Sequence, residues 1–354
     1  MSDSLENIPR TLRIKEMLTW SDFCGVPPSV VTIVGMAKNV GKTVTLNYIQ
    51  RVLYNQGLIL GLTSIGRDGE SFDALTNISK PSIVVQPQAI VATAEKVVAN
   101  PNLWDYLQKT DIVTPLGNVV ILRAKAVSKV VLAGPSKNQE VKRLLQYLSG
   151  FGTNCILIDG AFDRQSSADP LVSNQVVLAS GATLSRDLEQ LIYITKSRVE
   201  QLTLPKCDDF YLTLCKQSKS KVVLAGNSGL REIVADTSLL STTEWAKLLC
   251  DDCSVVLIKG AVGDGLAHAL LEKRHTPAVI VQDGSKIFIT PFLWRQLKVR
   301  NVKFQVVQPI SLLGVTINPS YPGGNGFDPD VLLQGMGKAL APLPIIDVVR
   351  EVKF

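Results

Sequence analysis

The stretch Val31-Thr-Ile-Val-Gly-Met-Ala-Lys-Asn-Val-Gly-Lys-Thr-Val-Thr-Leu-Asn-Tyr-Ile49 constrains the fold more than any other part of the chain. A β-branched apolar run ends at Gly35, a loop closes at Gly41, and a helical pattern opens at Lys42. The order is buried strand, tight loop, helix. It sets the first free amides of a helix at the end of a strand, where the helix dipole also favours negative charge. Lys42 adds a cation that reaches β- and γ-phosphates, and the Thr43 hydroxyl suits Mg²⁺. The segment is expected to bind a nucleoside triphosphate.

Its spacing departs from the usual pattern of four residues between the two glycines. Gly35 and Gly41 are separated by five: Met36, Ala37, Lys38, Asn39 and Val40. In this spacing, and in the run Val40-Gly-Lys-Thr-Val44, the loop resembles the dethiobiotin synthetase branch of P-loop proteins. Lys38 and Asn39 either add a cation and a donor near the phosphates or are ordinary solvated loop residues. The residues expected to touch the nucleotide are Gly35, Lys38, Asn39, Val40, Gly41, Lys42, Thr43 and Val44, with Arg67 from beyond the second strand.

Short apolar runs alternate with helical patterns along the rest of the chain, which reads as α/β with a mostly parallel sheet and helices on both faces. Strands are expected at 30–34, 58–65, 82–85, 119–124, 129–133 and 155–159. Helices are expected at 42–56, 89–99, 138–149 and 185–204. The polar stretch 206–221, with its Ser-Lys-Ser-Lys, reads as a domain junction. The division is therefore 1–29 as an N-terminal helix and linker, 30–205 as a nucleotide-binding domain, and 206–354 as a smaller α/β domain. Val222-Val-Leu-Ala-Gly echoes Val130-Val-Leu-Ala-Gly, and Val256-Leu-Ile-Lys-Gly-Ala261 echoes Ile156-Leu-Ile-Asp-Gly-Ala161. The echoes fit a worn internal repeat, or two parallel-sheet domains that each need a buried strand ending at a glycine turn.

A second element supports the first. Cys155-Ile-Leu-Ile-Asp159 is an apolar strand ending in a carboxylate, and an Asp at that edge holds Mg²⁺ directly or through water. Lys42 and Asp159 are thus the expected catalytic pair, with Thr43 and Asp159 on the metal. Arg67, Asp68 and Glu70 follow the second strand and are candidates for γ-phosphate, metal or substrate contact, or form a surface turn. Asp163 is a candidate to orient a water and Arg164 to contact phosphate, or the two are a solvated loop pair. The loop 134–138 ends a strand and is a candidate to line the same crevice, and 181–187 reads as a loop followed by a helix capped at Ser185. The glycine- and proline-rich stretch Ile317-Asn-Pro-Ser-Tyr-Pro-Gly-Gly-Asn-Gly-Phe-Asp-Pro329 is a long loop, a class that is often functional, ahead of a helix capped near Asp328.

Composition narrows the classes. The 354 residues are 46% hydrophobic and 19% charged, as expected of a well-buried globular chain. The net charge of +6 comes from dispersed Lys and Arg with few aromatics among them, so no nucleic-acid partner is expected. No apolar run approaches the ~18 residues of a membrane helix, the N-terminal stretch is polar, and a cytoplasmic location is expected. Cys250-Asp-Asp-Cys253 has the spacing of half a zinc site or a redox pair, but only two histidines, His268 and His275, are available to complete one. The guanine-reading Asn-Lys-x-Asp signature is missing, which leans the base towards ATP.

Taken together, Gly35 to Thr43, Gly61-Leu-Thr-Ser-Ile-Gly-Arg-Asp-Gly-Glu70, Val91-Ala-Thr-Ala-Glu-Lys96, Ala133-Gly-Pro-Ser136, Leu157-Ile-Asp-Gly160, Leu184-Ser-Arg-Asp187 and the 318–329 loop span nearly the whole chain. With these pieces the chain resembles the KamB-type subunit of the lysine 5,6-aminomutase reactivase. The resemblance implies an ATP- and Mg²⁺-dependent protein that releases damaged cobalamin from an adenosylcobalamin-dependent aminomutase. It also implies a second, MutS-related ATPase subunit as partner. A dethiobiotin synthetase-like ligase and a non-catalytic nucleotide-binding regulator are the other classes these residues allow.

Overall fold

The computed structural model describes residues 29–66, 82–160, 173, 175–226, 229–233, 237–249, 251, 253–321 and 325–354. The chain forms two compact units. One gathers the described residues up to 160, Gln175–Ile192 and Leu313–Phe354; the other is built on Tyr193–Leu312.

The first unit runs β1 (Ser29–Gly35), α1 (Lys42–Tyr54), β2 (Leu60–Ser64), β3 (Ile83–Val85), β4 (Ile90–Ala94), β5 (Trp104–Thr114), β6 (Gly117–Ala124), β7 (Ser128–Val130), α2 (Asn138–Gly150), β8 (Cys155–Asp159) and β9 (Gln175–Gly181), and α3 (Leu188–Leu202) follows. The second unit holds α4 (Asp209–Gln217), β10 (Val222–Gly226), β11 (Gly229–Ile233), α5 (Thr242–Leu248), β12 (Cys253–Ile258), β13 (Val262–Gly263), α6 (Asp264–Glu272), β14 (Ala278–Val281), β15 (Ile287–Phe288), α7 (Pro291–Val299) and β16 (Phe304–Val306). The chain then returns to the first unit as β17 (Ser311–Asn318), α8 (Pro329–Leu340), β18 (Ile345–Asp347) and β19 (Val352–Lys353).

Ten strands form the first unit's sheet in the order β19-β18-β17-β9-β1-β8-β2-β4-β6-β5. β1 pairs in parallel with β8 and β9, and β2 with β8 and β4. At one end β4, β6 and β5 turn antiparallel. Strands β2 and β8 are buried throughout, which is why they read as continuous apolar runs and not as alternating patterns. Helix α1 sets Leu46, Ile49 and Leu53 against Val31, Ile33, Leu62 and Leu157 to make the main core. Each such side chain contributes about 1.5–3 kcal/mol by leaving water.

Three sequence expectations need correction. Residues 89–99 form strand β4 and a short 3₁₀ turn, Glu95–Val97, instead of a helix. Ile90-Val-Ala-Thr-Ala94 is buried between β2 and β6, and an apolar run this short carries no periodicity to separate helix from strand. Strands β5 and β9 were not anticipated. Finally, residues 206–354 do not form one domain, because β17, β18 and β19 pair in the first sheet.

In the second unit five strands run β11-β10-β12-β14-β16. β12, β14 and β16 are parallel, whereas β10 is antiparallel to both its neighbours. The echoed segments therefore play different parts: Val222–Gly226 is strand β10, antiparallel to β11 and β12, whereas of 130–134 only Val130 lies in a named strand, β7. That favours two sheets meeting the same demand over a repeat. Trp245, Leu266, Leu270, Trp294 and Phe304 fill the core, with the Trp294 and Phe304 rings 4.9 Å apart. The buried Arg198 donates to Gln201 Oε1 at 2.9 Å and to the Ile287 carbonyl at 2.7 Å. Gln201 in turn donates to the Ile289 carbonyl at 2.8 Å. Burial pushes the Arg198 pKa down to about 10, opposed by the nearby carboxylate of Asp283.

Candidate functional site

β1 ends in the middle of the ten-stranded sheet, flanked by β9 and β8. In open α/β sheets this carboxyl edge is where ligands bind. The Met36 amide continues the ladder to Ala179 O at 3.0 Å, and then the chain lifts away as the loop 37–41. Asn39 at φ 61° and Gly41 at φ 96° both adopt left-handed backbone. Such conformations turn successive amides to one side and make anion-binding concavities. Helix α1 begins at Lys42, its first internal bond running from Thr45 N to Gly41 O at 2.9 Å. No acidic side chain lies in its first turn, so the positive end of the helix dipole is not offset there.

Gly35 is required by close approach. A Cβ at this position would lie 2.7 Å from Lys42 Cγ, 2.8 Å from its Cδ and 2.8 Å from Val40 Cγ2. Only a glycine lets the Lys42 stem fold back over the end of β1. The Lys42 ammonium donates to Gly160 O at 3.0 Å, just beyond β8. Asp159, the last residue of β8, pairs in register with Ile33 on one side and Ser64 on the other, and is only 7% exposed. The Gly160 amide bonds Ile33 O at 3.0 Å and the Ile65 amide bonds Asp159 O at 3.2 Å, which fixes the strand ends around it. A glycine-walled loop, an uncapped helix N-terminus and a lysine whose ammonium reaches the end of the next strand fit a polyphosphate.

The structure thus brings Gly35, Lys42 and the end of β8 at Asp159–Gly160 together. Thr43 is half-buried in the first turn of α1, Lys38 and Asn39 are exposed, and Val40 is buried. Val44 packs against the hydrophobic core. Arg67, Asp68, Glu70, Asp163, Arg164 and Cys250 lie outside the described residues. The 134–138 loop does reach the edge: Gly134 N bonds Ser64 Oγ at 3.0 Å and Gly66 N bonds Pro135 O at 3.0 Å. Ser185 is not the cap of α3. Asp187 Oδ1 accepts from Gln190 N at 2.7 Å, while Ser185 Oγ accepts from Asp187 N at 3.0 Å. Asp328 caps α8 as expected, accepting from Asp330 N and Val331 N.

Sequence reasoning missed the part played by β17. Thr316 Oγ1 lies 2.8 Å from Thr45 Oγ1 in a buried hydrogen bond. Two residues on, Asn318 Nδ2 donates to Asn39 O at 3.1 Å. Both contacts join residues more than 270 positions apart, and only the glycine-rich character of the following loop hinted at them. Beside them the Arg186 guanidinium stacks 4.7 Å over the Tyr321 ring. Among the described residues no cluster of three or more His, Cys, Asp or Glu side chains is placed to hold a metal, and no helix is long and apolar enough to cross a membrane.

The fold makes this a mixed α/β protein with a large, mostly parallel sheet, and its conspicuous feature is the loop at the end of β1. Comparison with protein-family models, curated proteins and solved structures finds no match.

Proposed function

We propose that this chain is a P-loop protein that binds and hydrolyses ATP with Mg²⁺, and that it serves as one of two ATPase subunits of a reactivase for an adenosylcobalamin-dependent lysine 5,6-aminomutase. One observation carries the nucleotide reading: Lys42 opens a helix directly after a left-handed Gly41, and its ammonium reaches the carbonyl one residue past Asp159. In this reading the loop amides from Gly35 to Gly41 receive the phosphates, and Lys42 neutralises their charge. Thr43 and Asp159 hold Mg²⁺, which would supply further charge neutralisation on the transferring phosphoryl group.

The reactivase role rests on the sequence resemblance spread across the chain. The partners it names are the aminomutase and a MutS-related ATPase subunit, in the cytoplasm. For ATP to drive release of damaged cobalamin, the nucleotide state must change affinity for the mutase. The test is ATP turnover by the purified chain with Mg²⁺, alone and with inactivated aminomutase plus the MutS-related subunit. Stimulated turnover with recovery of mutase activity is expected. ATP binding without stimulation or rescue refutes the reactivase role and leaves a dethiobiotin synthetase-like ligase or a non-catalytic regulator.

A further inference from the structure

Asn318 is the last residue of β17, the neighbour of β9, which itself flanks β1. Its side-chain amide is committed at both ends. Nδ2 donates to Asn39 O at 3.1 Å, and Oδ1 accepts from Ser320 N at 3.0 Å. It sits in a slot made by two glycines. A Cβ on Gly181 would lie 2.6 Å from Asn318 O and 2.9 Å from its Cβ, and a Cβ on Gly41 would lie 3.4 Å from Asn318 Cβ.

The consequence follows from the geometry of a trans peptide, in which the carbonyl and the following N–H point in opposite directions. Holding the Asn39 carbonyl towards Asn318 turns the Val40 N–H away from it, to the other side of the loop. That amide makes no hydrogen bond to any described residue. The left-handed residues Asn39 and Gly41 flank it on either side.

We infer that Asn318 is a positioning residue for the phosphate loop: it fixes the 39–40 peptide so that the Val40 N–H serves as a donor to the polyphosphate of the nucleotide. The inference rests on the proposed nucleotide reading and adds that the site is completed by a strand from the far end of the chain. Asn318 itself touches the loop, and acts on the ligand through Val40.

The test uses full-length protein labelled with ¹⁵N-valine, titrated with Mg-ATP and separately with Mg-tripolyphosphate. Wild type is compared with Asn318→Ala and with the near-isosteric Asn318→Leu, which keeps volume but has no donor. In wild type both probes are expected to bind and to move the Val40 amide proton downfield. In both variants the Val40 shift should be lost, and affinity for both probes should fall about tenfold, the scale of one lost hydrogen bond. A melting temperature near that of wild type in the leucine variant separates positioning from a general loss of structure. Wild-type affinity and an unchanged Val40 shift in both variants would overturn the inference. So would loss of ATP binding with tripolyphosphate binding intact, since that would place Asn318 on the nucleoside. If wild type binds neither probe, the nucleotide reading falls and takes this inference with it.

Discussion

Replacing Gly35 by alanine puts one methyl group where three carbon atoms already stand within 2.8 Å. Two of them belong to the Lys42 stem and one to Val40. Inserting a methyl into a filled space costs about 1–3 kcal/mol when the surroundings resist. Here the Lys42 stem is the softest neighbour, so it should rotate away and relieve most of that cost. The Lys42–Gly160 bond is then lost, a net loss of about 0.5–1.5 kcal/mol. For a unit of this size each 1 kcal/mol lowers the melting temperature by about 2–4 °C, so the protein should stay folded. Its affinity for Mg-ATP should nevertheless fall at least about tenfold, since 1.4 kcal/mol of misplaced charge–phosphate interaction is enough. Calorimetric titration with Mg-ATP, paired with a thermal melt, measures both. A Gly35→Ala protein that binds Mg-ATP as tightly as wild type would refute the reasoning, because Lys42 would then not depend on this approach.

Other substitutions separate structure from binding. Arg198→Leu leaves Asp283 buried without its guanidinium neighbour and should cost about 3–5 kcal/mol, seen as an early unfolding transition of the second unit. Thr316→Val removes the partner of Thr45 in a buried hydrogen bond and should cost about 1–3 kcal/mol, read in a denaturant melt, with less effect on Mg-ATP affinity than Asn318→Ala. Asp328→Ala deletes the cap of α8 and should cost about 1 kcal/mol, also by denaturant melt. Burial raises the thiol pKa of Cys207 and Cys215, so both should resist alkylation at pH 8 in the native protein and react once it is unfolded, as followed by mass spectrometry.

The sequence revealed the parts of this fold that are local. The strand–loop–helix from Ser29 to Tyr54 was legible because Gly35, Gly41 and Lys42 act within one short stretch, and β8 with Asp159 was legible because its strand is buried end to end. Strand β4 was not, since a five-residue apolar run looks the same in either secondary structure and only its pairing with β2 and β6 decides. The return of β17 to the first sheet was hidden for a different reason. Ser311–Asn318 is an ordinary strand sequence, and nothing local says which sheet it joins. That choice is made by packing across long separations, through Thr45–Thr316 and Asn39–Asn318. The candidate site was therefore half visible: the loop and its lysine were, and the strand that holds the loop was not.

The most direct measurement of the central claim is calorimetric titration of Mg-ATP into wild type and into Lys42→Ala, whose fold the melt confirms. The account predicts one saturable site in wild type that disappears in the variant. Equal binding by both proteins, or no binding by wild type, would contradict it.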